Sequence, residues 1–224
     1  MCIRDRSNPP KPIRSELNLF QVQSGILVDN ARSHSTSYSL DRQPRSRVIN
    51  DKPAIAVLGP IEGEAEEVVA AQVAGALASG GYAVIVSGKG RVAASAARAA
   101  SAQGGEVVLV LEEKESASTE PLNNQTRVSR PSILQCTEAI LDHADALLVL
   151  PGDLQALAAL MQVWAYGTTE DGPYRPLVLL GDEWPRLVKA LATAANLDRK
   201  QRAMVTFASA PDEAVESLRY YIST

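Results

Sequence analysis

From Pro53 onward the chain alternates between two textures. Short, almost unbroken apolar runs are separated by longer stretches in which apolar residues recur at three- and four-residue spacing. The runs Ala54 to Leu58, Tyr82 to Val86, Val107 to Leu111, Ala146 to Leu150 and Pro176 to Leu180 read as strands covered on both faces. The intervening stretches Glu64 to Ser79, Val92 to Ala102, Ile133 to Asp142, Leu154 to Tyr166 and Glu183 to Ala194 read as helices. Val205 to Ala208 predicts a last strand and Pro211 to Tyr221 a closing helix, while Glu112 to Asn124 and Thr168 to Tyr174 read as polar loops. In the first helix, Val68, Val69, Val73 and Leu77 are expected on the buried face, with acids in the first turn and Gly80-Gly81 as the stop. Strands that alternate with helices in this way predict an α/β fold, a three-layer Rossmann-like sandwich around a mostly parallel sheet.

Ligands in such folds sit at the carboxyl ends of the strands. Those ends carry Gly59-Pro60, then Ser87-Gly88-Lys89-Gly90, Pro151-Gly152-Asp153 and Gly181-Asp182. Glycine there lets a backbone approach a ligand closely. A turn that opens a helix at such a point presents unpaired N–H groups and the positive end of the helix dipole. Asp153 stands where a phosphate-binding turn would want glycine. It is also the natural N-cap of the helix from Leu154, so it is weighed both as a plain cap and as a ligand contact. Lys89 in its Gly-Lys-Gly turn is either an anion contact or a solvated lysine, and the spacing is not that of a nucleoside-triphosphate loop. Arg127 and Arg130 precede a helix and are either surface arginines or groups that reach the site. Cys136 reads as a small core residue, His143 as a residue favoured by a helix C-terminus, and Trp164 and Tyr166 as core or interface packing.

Composition narrows the partners. Residues 1–50 carry 8 Lys/Arg against 4 Asp/Glu, whereas residues 51–224 carry 14 against 22, a net −8. The first segment, rich in Ser, Arg, Pro and Asn, reads as a basic, disordered tail or a non-native leader. The second segment is expected to be the single nucleotide-binding domain. Its acidic balance argues against a nucleic-acid surface. No apolar run reaches the ~18–20 residues that a membrane helix needs, and no secretory leader is visible. With 2 Cys and 2 His in the chain, no metal site or disulfide framework is expected, and a reducing cytoplasmic setting follows. No cofactor is indicated.

The order of elements and the loops together resemble the LOG ("Lonely Guy") lysine-decarboxylase-like family of Rossmann-like proteins. The resemblance runs from Ala54 to Tyr221. It is carried by Gly88 and Gly90 in SGKGRVAASAARAA, by AILDHADALLVLPG before the turn, by Trp164, and by RPLVLLGDEW at Arg175 to Trp184. It implies a homodimer and a nucleotide or nucleotide-derived ligand held near Gly59, Pro60, Gly88, Lys89, Gly90, Arg91, Arg130, Pro151, Gly152, Asp153 and Gln155. In active members it implies hydrolysis of the N-glycosidic bond of a nucleoside 5′-monophosphate. The family's PGGxGTxxE turn departs here in four places. Asp153 and Gln155 replace glycines, Ala156 replaces the threonine, and Ala159 replaces the glutamate; the upstream arginine falls on Cys136 in an ungapped alignment. Three readings follow. One is a nucleotide-binding relative with impaired chemistry. A second is an active phosphoribohydrolase that uses displaced groups, Glu62 or Asp153 as carboxylate and Arg91 or Arg130 for phosphate. The third is a structural or interaction protein on the same fold.

Overall fold

The computed structural model describes residues 52–115, 121–168 and 175–223. The tail 1–50 and most of the loop expected at Thr168 to Tyr174 lie outside them. Seven strands form the sheet: β1 (Ala54–Leu58), β2 (Ala83–Ser87), β3 (Val107–Glu112), β4 (Gln125–Arg130), β5 (Ala146–Val149), β6 (Leu177–Leu180) and β7 (Val205–Ala208). Seven helices accompany them: α1 (Glu64–Ser79), α2 (Arg91–Ala102), α3 (Ile133–His143), α4 (Leu154–Gly167), α5 (Trp184–Ala194), α6 (Arg199–Arg202) and α7 (Pro211–Ser223). A short 3-10 turn covers Glu113–Glu115.

All pairings are parallel, in the order β4-β3-β2-β1-β5-β6-β7. The expected mostly parallel sheet is therefore wholly parallel. Side chains alternate between two cores, as the period of a strand requires. Ile55, Val57, Val84, Val86, Leu109 and Leu148 pack with α1, α2 and α7 on one face. Ala56, Ile85, Val108, Val110, Leu147 and Val149 pack with α3, α4 and α5 on the other. The apolar runs are continuous because both faces are covered.

Two expectations are corrected and one element is added. Gln125–Arg130, of sequence QTRVSR, forms a strand that no apolar run predicts. It lies at the sheet edge, and Val128 is its one buried residue, so no apolar run marks it. Glu112 ends β3 and does not begin a loop. Val68 is 57% exposed, and the buried face of α1 is Ala70, Val73, Ala74, Leu77 and Ala78. These alanines let α1 lie against the alanine-rich face of α2, Ala96, Ala97 and Ala100, in the same core.

β1 is the switch point. The chain leaves it by α1 toward β2 on one side, and β5 pairs with it on the other. The switch sets a crevice at the carboxyl ends of the strands, where this fold takes its ligands. The opposite ends are tied by side chains. Asp145 Oδ2 accepts from the Ala54 amide at 2.9 Å, and Arg175 Nε donates to the Ala144 carbonyl at 2.7 Å.

Candidate functional site

A cleft lies at that crevice, with a cavity volume of about 80 Å³. Its wall is mainly apolar, from Val57 and Ala70 to Ile140, and its polar residues include Lys89, Glu112, Glu115 and Gln155. Among the residues expected to bind a ligand, Gly59, Gly88, Lys89 and Gln155 line it. Gly90, Arg91, Pro151, Gly152 and Asp153 shape the turns beside it. Arg130 ends β4, and its Nη1 donates to the neighbouring Ser129 carbonyl at 2.9 Å. Arg130 is not part of the cleft wall.

The start of α4 is closed by its own carboxylate. Asp153 Oδ1 accepts from the amides of Gln155 and Ala156, each at 3.0 Å, and Oδ2 accepts from the amide of Ile61 at 3.1 Å. The first two bonds are the N-cap expected from sequence. The third brings the segment after β1 across to the turn after β5. Pro60 packs there against Gly152, where a Cβ would come within 3.1 Å of the Pro60 nitrogen and 2.8 Å of Ala156 Cβ.

The start of α2 is built differently. Its N-cap, Gly90, receives no side-chain hydrogen bond and has φ +89°. A Cβ at Gly90 would overlap the Ile61 carbonyl, and that carbonyl accepts from the Arg91 amide at 2.8 Å. The peptide groups of Ile61 thus bridge the two helix starts. The Arg91 side chain binds Glu62 and reaches Glu67 at 3.1 Å. The hydrogen bond to Glu62, followed by the charge of Glu67, holds the guanidinium above its ordinary pKa.

Glu112 and Glu115 line the cleft and are not singled out by the sequence pattern. Glu112 is 8% exposed and pairs with Lys114. The Lys114 bond is the main reason its carboxyl sits below the usual range. A lone acid at the end of an apolar run was the available signal, since strand ends are where ligands meet this fold. Lys89 Nζ, on a side chain 40% exposed, lies 3.8 Å from Glu115. Cys136 is buried as expected and lines the cleft, and burial pushes its thiol pKa up. Trp164 is a core residue whose indole donates to the Gln201 carbonyl at 2.8 Å, while Tyr166 is half exposed. His143 is the last residue of α3. Among the described residues no cluster of His, Cys, Asp and Glu is arranged to hold a metal, and no helix is long and apolar enough to cross a membrane.

This frame can be set beside known structures. The molybdenum cofactor carrier protein of Chlamydomonas reinhardtii superposes with a TM-score of 0.57 at 16% identity, over 77% of this chain and 100% of that one. The fold is shared with molybdenum cofactor carrier proteins. The molybdenum cofactor binding protein of the phototrophic bacterium Rippkaea orientalis gives a TM-score of 0.60 at 19% identity, over 78% of this chain and 99% of that one. The DNA processing protein A of Helicobacter pylori, described as binding single-stranded DNA, is similar at a TM-score of 0.52 and 12% identity, over 75% of this chain and 81% of that one. No protein-family model and no curated relative matches the sequence.

Proposed function

We propose that this chain binds a nucleotide-derived small molecule in the cleft at the β1/β5 switch point and does not hydrolyse it. The observation that carries this reading is the identity of three residues in the cleft wall. Cys136, Ala156 and Ala159 line it, and these are the positions to which the LOG resemblance assigns the arginine, the threonine and the glutamate. An alanine neither activates water nor stabilises an oxocarbenium-like centre. A thiol whose pKa is raised by burial supplies no charge at neutral pH. The displaced groups are also committed elsewhere. Glu62 is paired with Arg91, and Asp153 is bonded to three backbone amides.

The position of the cleft supports a small-molecule ligand, and the net −8 of residues 51–224 speaks against a nucleic acid. The carrier proteins that share the fold are described by a cofactor cargo, which favours binding without turnover as a use of this architecture. A homodimer belongs to the same proposal. Leu134 and Tyr166, 64% and 50% exposed, flank a groove between α3 and α4 that a second copy would cover. Incubation of purified protein with adenosine 5′-monophosphate tests the chemistry, with no release of free adenine expected. A thermal-shift panel of nucleosides and nucleotides tests the binding, since a ligand taken only by the native state raises its apparent stability. Base release would overturn the first half of the reading, and indifference to the whole panel would overturn the second.

A further inference from the structure

The cleft carries information about which part of a nucleotide it accepts. We infer that it selects the dephosphorylated form, a nucleoside or its free base, over the corresponding 5′-monophosphate, because Asp153 is a resident anion on the amides at the start of α4, beside the cleft wall. This inference rests on the nucleotide-derived ligand proposed above.

Helix starts that face a strand-end crevice are the ordinary receivers of a phosphate, through their free amides and their dipole. At α2, which no side chain caps, the Arg91 amide is held by the Ile61 carbonyl, and at α4 the amides are taken by a carboxylate. Gln155 and Ala156 donate to one oxygen of Asp153 and Ile61 to the other. The carboxylate thereby draws donors from two segments, as a bound phosphate would. At α3 the Gln135 amide donates to Ser132 Oγ, and the Glu112 carboxylate stands in the cleft wall with Ile133. A second anion entering beside these carboxylates would meet like charge in a partly dry cleft, where such repulsion costs several-fold more than in water.

The cations tell the same story from the other side. Lys89 faces Glu115 at 3.8 Å, Arg91 is held by Glu62 and Glu67, and Lys114 is bonded to Glu112. These three cations already have acidic neighbours, so a dianion would have to separate a pair to gain a counter-charge from any of them. Size agrees with charge. The cavity of about 80 Å³ is small beside the ~300–1,000 Å³ of sites that enclose a drug-sized ligand. Its apolar wall, with the Glu112 and Glu115 carboxylates as acceptors, suits a flat heterocycle that carries N–H groups.

Calorimetric titration of the full chain with adenosine, guanosine and their 5′-monophosphates at one ionic strength tests this. Each nucleoside that binds is expected to do so at least about ten-fold more tightly than its monophosphate, and inorganic phosphate should not compete. Asp153→Asn keeps a capping acceptor and removes the charge. It should narrow the preference by about ten-fold through a gain for the monophosphate. Asp153→Ser, a neutral cap of shorter reach, gives the same comparison if the asparagine variant does not fold. Monophosphates bound as tightly as nucleosides by the wild-type protein, or a ratio unmoved by removing the charge, would overturn the inference and leave the ligand class standing. Failure of all four compounds to bind would remove the ligand class and the inference with it.

Discussion

The starts of α2 and α4 are two solutions to one problem. Both follow a strand that ends at the cleft, and both must satisfy the amides of a first helical turn. At α4 a side chain does this: Asp153 caps the turn and reaches across to Ile61. At α2 no side chain caps the turn, and backbone shape does the work. Gly90 adopts a left-handed φ and lies so close to the Ile61 carbonyl that no Cβ fits. One turn is held by charge and the other by the absence of a side chain, and a single residue, Ile61, joins them. Charge can be exchanged for a neutral acceptor at modest cost. A forbidden Cβ cannot be accommodated without moving backbone.

Substitutions should therefore separate the two turns. The largest effect is expected for Gly90→Ala, which combines strain at positive φ with overlap of the Ile61 carbonyl. A loss of about 3 kcal/mol in urea unfolding would agree, and a change under about 1 kcal/mol would show that the turn relaxes freely. Asp153→Ala comes next, at about 2 kcal/mol, because it removes an N-cap and leaves the Ile61 amide without its acceptor. Asp153→Asn should recover most of that loss in the same measurement. If the two variants are equally damaging, the charge itself stabilises the turn and a neutral acceptor does not replace it.

Smaller effects test the surroundings. Glu112 is held below the ordinary carboxylate pKa in the folded protein, mainly by Lys114. Its contribution is therefore complete above the unfolded carboxylate value, about 4.3, and is lost as pH falls through the lowered folded value. Glu112→Gln should flatten that part of the acid limb in a pH series of melting temperatures and leave the profile above about pH 6 parallel to wild type. Arg91→Ala should matter least. Its guanidinium is exposed, so the ion pairs with Glu62 and Glu67 are screened by solvent. A small shift in midpoint that vanishes in high salt is the expected result.

Much of the frame was legible in the chain. β1, β2, β3, β5 and β6 announce themselves as apolar runs because both of their faces are buried. β4 does not, since an edge strand with one buried residue leaves no run to read. α6 is four residues long, too short to show a helical period, although its capping box from Asp198 to Gln201 is local. The site divides along the same line. The cap at Asp153 follows from its two neighbours, Gln155 and Ala156, and could be read from the chain. Its bond to Ile61 could not, because nothing local relates residues that far apart. Glu112 was misplaced for a similar reason: only pairing with β4 extends β3 far enough to include it.

The bond between Ile61 and Asp153 also has a consequence in time. It spans 92 positions, and the neighbouring pairing of β1 with β5 joins segments almost as distant. By contrast, β1, α1 and β2 lie within one short stretch of chain. Closing a long loop must be paid in chain entropy before its contacts return anything, so such pairings form slowly. The cleft is then completed late in folding, when its second wall arrives. A substitution at Asp153 should accordingly speed unfolding much more than it slows folding, which would mark the floor of the cleft as older, in every folding event, than its rim.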